Sequence, residues 1–424
     1  MTEITLTPAI ELAQRVKRKE ISAVELLELH LQRYRQHNPA INAVIFTQID
    51  HAYEQAQAAD EAVTRGKTTG PLHGVPMTIK DSYDWIGSPS TWGMPEMIDN
   101  YPEVNAVAVQ RLLDAGAIIY GKSNVPLKLS DWQSFNEIYG ITNNPWDPTR
   151  TPGGSSGGAA AALATGMASL EIGSDIGASI RGPAHFCGVY GHKPTMGIVP
   201  LQGHLLPGDT AHEDILVGGP LARSAGDLKL ALDILAGPTG ELEKAWQFQL
   251  PPPRKNNLTE FKVGVLMKSP VCAQDEELTD QLLDTVAVLE KAGVQIDYAA
   301  DPGFDWRRYH EVYLLLLRAT TSASYTDEEF EFHRQSAAAR KPDDTRYRAY
   351  LDRGITIRHR DWWTLHDERE QMRLRWRAFF EHYDLLLCPV AASTAFVHDH
   401  LGERPDRTID INGQQELVVD QLFW

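Results

Sequence analysis

Two serine-bearing, glycine-rich segments stand close together in the chain: Thr151-Pro152-Gly153-Gly154-Ser155-Ser156-Gly157-Gly158 and Gly173-Ser174-Asp175-Ile176-Gly177-Ala178-Ser179-Ile180-Arg181. Glycine lacks a Cβ, so such turns let backbone N–H groups approach a ligand closely. A serine in such a turn can be presented as a nucleophile, with neighbouring N–H groups free to hold an oxyanion. One turn of this kind reads most simply as a tight connection beside a helix. Two, both rich in Ser and Gly, point to acyl-transfer chemistry.

Upstream, Val75 to Ile79 reads as a short apolar strand with Lys80 at its end. A lysine desolvated by its surroundings becomes a neutral base. Lowering its pKa from about 10.4 to about 7 costs roughly 4–5 kcal/mol, a plausible demand on a buried site. Taken alone, Lys80 reads equally well as a surface lysine, with Asp81 as its ion-pair partner.

Gly74-Val75-Pro76-Met77-Thr78-Ile79-Lys80-Asp81, the two glycine turns and Pro183-Ala184-His185-Phe186-Cys187-Gly188-Val189-Tyr190-Gly191-His192-Lys193-Pro194 together resemble the amidase signature family. Asn144-Pro145-Trp146-Asp147 fits the segment ahead of the first turn. The likeness is strong over 74–235 and weaker towards both ends. It implies a Ser–cis-Ser–Lys triad: Ser179 as nucleophile, Ser155 as bridging serine, Lys80 as base, and a cis Gly154–Ser155 peptide. It implies an oxyanion hole made of the backbone N–H groups of Ile176, Gly177, Ala178 and Ser179. Ser156, Asp175 and Arg181 are expected to support the network, and Leu129, Ser130 and Asp131 to lie near the acyl side of the substrate. Ala178 departs from the pattern, because many members carry glycine there. Its methyl group narrows the allowed backbone angles but leaves the N–H donor in place.

The activity so implied is hydrolysis of a carboxylic amide to acid plus amine or ammonia, on a small-molecule substrate and with no cofactor or metal. A small or aryl amide is expected over a long-chain lipid amide, because no amphipathic membrane-docking helix stands out. Two other readings are the glutamine-hydrolysing subunit of a tRNA-dependent amidotransferase and a catalytically silent binding protein on the same scaffold. Gly191 to Pro200 and His212-Glu213-Asp214 look more like stand-alone amidases than like that subunit.

Two patterns carry less. Gly153-Gly154-Ser155-Ser156-Gly157 formally matches the G-x-S-x-G nucleophile elbow, but that motif needs a strand immediately before it. Here prolines 145, 148 and 152 precede it, and proline is poorly suited to a central strand. His398-Asp399-His400 reads as an exposed polar turn, since no third metal ligand is indicated.

The elements that must position these residues alternate between strand and helix patterns. That argues for an α/β fold with a large mixed β-sheet core covered by helices on both faces, taken as one domain over 1–424. Helices are expected from Thr7-Pro8, from Ser22 to about Asn38-Pro39, and over 52–63, 107–115 and 230–235. Strands are expected over 40–49, 75–79, 117–121, 263–266 and 383–389 (buried), and a short buried segment over 188–191. The region 306–380 reads as mostly helical and aromatic-rich; its Tyr309, Tyr313 and Trp362-Trp363 are candidates to close a pocket. Pro251-Pro252-Pro253 reads as a surface connection. Glu416 to Trp424 looks like a helix cut off in mid-pattern; either the fold lacks a C-terminal segment here or this member is genuinely short.

The composition fits a globular chain of 424 residues, with 42% hydrophobic and 23% charged residues. The formal net charge of −17 disfavours nucleic-acid or anionic-membrane surfaces. Three scattered cysteines and the lack of a signal-like or membrane-spanning run suggest a cytoplasmic setting. A homo-oligomer is left open.

Overall fold

The structure is a computed structural model describing residues 4–68, 70–206 and 208–424. The chain divides into two compact units, the first running to His212 and continuing with Leu216–Leu250 and Ala395–His398. The second comprises Glu213–Ile215, Pro251–Thr394 and Asp399–Trp424. The long break between them falls at Pro251-Pro252-Pro253.

The first unit contains α1 (Ala9–Lys17), α2 (Ala23–Ile41), β1 (Val44–Thr47), α3 (Ile49–Thr64), β2 (Val75–Lys80), α4 (Val107–Asp114) and β3 (Ala117–Ser123). It continues with β4 (Phe135–Asn136), β5 (Gly140–Ile141), α5 (Gly157–Ala164), β6 (Leu170–Asp175), α6 (Arg181–Cys187), β7 (Tyr190–Gly191), β8 (Val217–Ala222), α7 (Ala225–Leu235) and α8 (Glu241–Ala245). The mixed α/β class holds. The strands are distributed over small sheets, ordered β1-β3-β2 and β6-β8-β7 with a β4-β5 hairpin. β2 runs parallel to β3, in a register that sets Lys80 opposite Ser123. β6 runs antiparallel to β8, pairing Asp175 with Val217.

Both β2 and β6 are buried along their whole length. α5, whose sequence is Gly-Gly-Ala-Ala-Ala-Ala-Leu-Ala, is apolar all round, and a helix of that kind belongs in a core. Seven of its residues are buried, so the serine turn at its N-terminus is carried into the interior. Ser22 caps α2 by accepting the Glu25 N–H at 3.0 Å.

Some boundaries differ from the sequence reading. α2 does not stop at Asn38-Pro39 but passes through Pro39 to Ile41, ending at Asn42 in the left-handed conformation. Asn38 Oδ1 accepts the Ala43 and Val44 N–H groups at 2.9 and 2.8 Å and turns the chain straight into β1. β1 is correspondingly shorter than expected. Tyr190, read as buried, is exposed.

The second unit contains β9 (Lys262–Val265), α9 (Glu276–Lys291), β10 (Gln295–Asp297), α10 (Trp306–Thr321), α11 (Asp327–Ala339), α12 (Tyr347–Ile355), α13 (His359–His382), β11 (Leu385–Leu387), β12 (Thr408–Ile411) and β13 (Gln414–Leu417). Its parallel sheet has the order β10-β9-β11. Leu385 of β11 is exposed, unlike the buried strand expected there. The C-terminal segment is not the expected helix: Gln414–Leu417 pairs with β12, and Val418–Phe423 forms a 3-10 turn. Asn412-Gly413, both at positive φ, is a hairpin signal that competes with the helical pattern.

Candidate active site

Alternation along β2 sends Thr78 and Lys80 to one face of the strand. Lys80 is fully buried. Its Nζ lies 2.6 Å from Ser155 Oγ, 3.0 Å from Ser156 Oγ and 3.0 Å from Ser174 Oγ. Burial pushes the ammonium down to about 7, against the opposing pull of Asp175, Glu171 and Asp81. A neutral amine has two hydrogens and one lone pair. Ser156 Oγ faces the Ser174 carbonyl at 3.5 Å, so its own proton has an acceptor there and its oxygen is free to receive one from Nζ. Ser155, at the shortest distance, is then the hydroxyl placed to donate into the lone pair.

The first turn is fitted flush against its neighbours. A Cβ on Gly154 would sit 2.3 Å from the Asp131 carbonyl oxygen, and one on Gly158 would sit 2.3 Å from the Asn124 nitrogen. The Gly154–Ser155 peptide is cis. Ser134 Oγ donates to the Gly153 carbonyl at 3.0 Å and accepts the Gly157 N–H at 3.1 Å, clamping the turn from both sides.

The second turn is wound around one carboxylate. Asp175, fully buried at the end of β6, accepts N–H groups from Ala178 and Ile180 at 3.0 Å and from Arg181 at 3.2 Å. The Arg181 guanidinium adds Nε to Oδ2 at 3.1 Å and Nη2 to Oδ1 at 2.9 Å. Burial alone would raise this carboxyl, but the Arg181 charge and the hydrogen bonds outweigh it and hold it down at about 2. Trp132 Nε1 donates to the Gly177 carbonyl at 2.7 Å, and the Ser156 N–H donates to the Ser179 carbonyl at 3.1 Å, so the two serine turns are joined directly. Ser179 is buried, and its hydroxyl makes no hydrogen bond among the described residues.

The amidase family profile matches residues 25–419. The chain belongs to the amidase family. Its relatives include an indoleacetamide hydrolase of Bradyrhizobium diazoefficiens, 30% identical across 98% of this chain and 76% of that protein. A glutamyl-tRNA(Gln) amidotransferase subunit from Chloroflexus aurantiacus is 42% identical, but across only 51% of this chain and 44% of that protein. Among solved structures, a fatty acid amide hydrolase superposes with a TM-score of 0.78 at 25% identity, covering 93% of this chain and 70% of that one. The reaction shared across the family is hydrolysis of an amide C–N bond.

Within this amidase, Lys80, Ser155 and Ser156 lie in one hydrogen-bonded cluster, with Ser179 tethered to it through the backbone of Ser156. Asp175 and Arg181 form the ion pair on which the second turn is built. One expectation needs correction. The Ala178 N–H, placed by resemblance in the oxyanion hole, is bonded to Asp175 Oδ1 and is unavailable to a substrate. The N–H groups of Gly177 and Ser179 carry no hydrogen bond among the described residues, while Ile176 is engaged in an interaction of its own. Ala178 sits at φ +70°, in the left-handed region that glycine occupies without strain.

Of the expected acyl-side residues, Asp131 presents its carbonyl to Gly154. Leu129 and Ser130 form a strained bend, with Leu129 at φ 55° and Ser130 Oγ donating to the Lys128 carbonyl at 3.0 Å. His398 Nε2–H donates to Asn143 Oδ1 at 3.1 Å.

Sequence reasoning missed four contributors. Ser174 is the third hydroxyl on Lys80, and the alternation of β6 could have flagged it. Trp132 and Ser134 brace the two turns from a segment whose sequence carries no motif. Glu171, also on β6, is fully buried and accepts from Thr78 Oγ1 at 2.5 Å and from the Ile172 N–H at 3.2 Å. Burial pushes its carboxyl up to about 8.

Among the described residues no helix is long and apolar enough to cross a membrane.

Proposed function

We propose that this amidase cleaves a small carboxylic amide through an acyl-enzyme on Ser179. The observation that carries this reading is Lys80, buried, bonded to three serine hydroxyls, and titrating near neutrality. Neutral Lys80 takes the proton of Ser155 while Ser155 takes that of Ser179. Ser179 Oγ forms a bond to the amide carbonyl carbon, and the carbonyl π electrons move onto oxygen. The Gly177 and Ser179 N–H groups receive that oxyanion, each donor of this kind being worth about 3–4 kcal/mol. The C–N bond then breaks as the relay runs backwards and delivers the proton to the leaving nitrogen, because an amine leaves poorly as an anion. Water, deprotonated by the same relay, attacks the acyl ester and releases the carboxylate and free Ser179.

We place the preferred substrate among small or aryl amides. The likeness to an indoleacetamide hydrolase, across 98% of this chain and 76% of that protein, supports this choice. The reading as an amidotransferase component is weaker, since the likeness to those subunits spans 51–76% of this chain against 98% for the indoleacetamide hydrolase. The test is hydrolysis of a set of aryl, short-chain and long-chain amides, with glutamine included, by wild type, Ser179→Ala and Lys80→Ala. Activity on benzamide-like substrates that is lost in both variants supports the proposal. Activity surviving both substitutions removes the triad, and a preference for long-chain amides removes the substrate class. Ammonia release only from glutamine, and only with partner proteins, supports the amidotransferase reading.

A further inference from the structure

Arg318 stands apart from the other arginines of the second unit. Arg308, Arg340, Arg348 and Arg369 each meet a carboxylate within 2.7 Å. Arg318 lies in the last turn of α10 with 8% of its surface exposed, and its guanidinium makes no hydrogen bond or ion pair among the described residues. Its Nε is wholly enclosed and without a partner. A guanidinium does not shed its proton at any ordinary pH, so it must carry its charge into the interior. That is costly without a counter-charge, and the partial negative charge at the end of α10 offsets only a fraction of the cost.

The surroundings are aromatic and cationic. The Tyr347 ring lies 5.6 Å from the guanidinium carbon, and Tyr347 Oη accepts from Arg404 Nη2 at 3.4 Å. Tyr313 and Tyr325 are near enough to act on the charge of Arg318. α12 presses against this end of α10 at Gly354, where a Cβ would stand 2.6 Å from Arg318 Cβ. Tyr347 thus stands between the two guanidinium groups, and no carboxylate is bonded to Arg318 among the described residues.

We infer that Arg318 is the anchor of a carboxylate-binding site in the second unit, with Tyr347 and Arg404 beside it. A carboxylate matches the guanidinium fork with two parallel hydrogen bonds. The tyrosine faces favour an aromatic acid over an aliphatic one. This site is independent of the hydrolytic reading, which uses no residue of it.

The test is calorimetric titration and thermal denaturation of the whole chain with benzoate, acetate and inorganic phosphate, on wild type, Arg318→Met and Arg318→Lys. The expected result is saturable binding of benzoate to wild type, tighter than acetate or phosphate. It should weaken at least about tenfold in Arg318→Met, the scale of losing a charge-assisted bidentate pair, with Arg318→Lys in between. Anion-free Arg318→Met should melt no lower than wild type, because its uncompensated charge is gone; this also certifies that the variant folds. Repeating the titration on Ser179→Ala keeps the outcome separate from any failure of the hydrolytic reading. The inference is overturned by absence of benzoate binding, by equal benzoate affinity in Arg318→Met, or by tighter binding of phosphate.

Discussion

Lys80 Nζ and Ser155 Oγ are 2.6 Å apart inside a fully buried pocket of hydroxyls, with no carboxylate bonded to the amine among the described residues. The amine is therefore set to lose its proton near neutrality rather than near 10.5. Only the neutral form can accept a proton, so kcat/KM should fall tenfold per pH unit below about 7 and level off above it. A pH–rate profile of the free enzyme checks this, and an acid limb near 4 instead would assign the base to another group.

Ser174→Ala removes one acceptor from Lys80. A protonated amine offers three hydrogens and a neutral one only two, so the third hydroxyl favours the charged form. Losing it should move the acid limb to lower pH and reduce kcat by roughly tenfold, through looser placement of Nζ. An unchanged limb in the pH profile would show that Ser174 is structural only.

Asp175→Asn strips the carboxylate from the second turn and removes the negative partner of its ion pair with Arg181. Breaking a buried ion pair on one side costs about 3–5 kcal/mol, and kcat should fall with it as Ser179 loses its framing. The carboxyl is depressed in the folded state to about 2 from 3.8. Its contribution to stability is therefore fully present above pH 3.8 and fades as pH falls towards 2. Denaturant melts across pH 2–5 should lose this slope in the variant.

Glu171 titrates in the opposite sense. Its folded pKa is raised to about 8 from 4.5, so it binds more protons folded than unfolded across that interval. Its share of stability is full below pH 4.5 and declines as pH rises through 8. Glu171→Gln keeps an acceptor for Thr78 without the ionisation, and should be more stable than wild type at pH 8 by on the order of 1–3 kcal/mol. Equal stability of the two proteins at pH 8 would mean that Glu171 is not held neutral.

Ala178→Gly tests the left-handed turn. An L-residue there costs roughly 1–2 kcal/mol, while glycine adds about 0.4–1 kcal/mol of unfolded-state entropy. The balance predicts a melting temperature equal to or slightly above wild type, and Ala178→Val, β-branched at positive φ, should fall below both. A clear loss of stability in the glycine variant would contradict this balance.

The sequence by itself determined the chemistry and most of the elements. Ser155, Ser179 and Lys80 could be named as candidates because their motifs resemble those of the amidase signature family, and β2 and β3 were legible because apolar runs are local signals. Ser22 announced the start of α2 for the same reason. The tertiary structure alone decided what depends on approach between distant segments. It set Ser174 and Ser156 on Lys80, Trp132 on Gly177, and the Ala178 N–H on Asp175 rather than towards a substrate. It also turned the chain's end into a hairpin and left Arg318 buried without a counter-charge. A hydrogen bond across a hundred residues leaves no period in the sequence, and the cost of desolvating a charge is set only when other segments close around it.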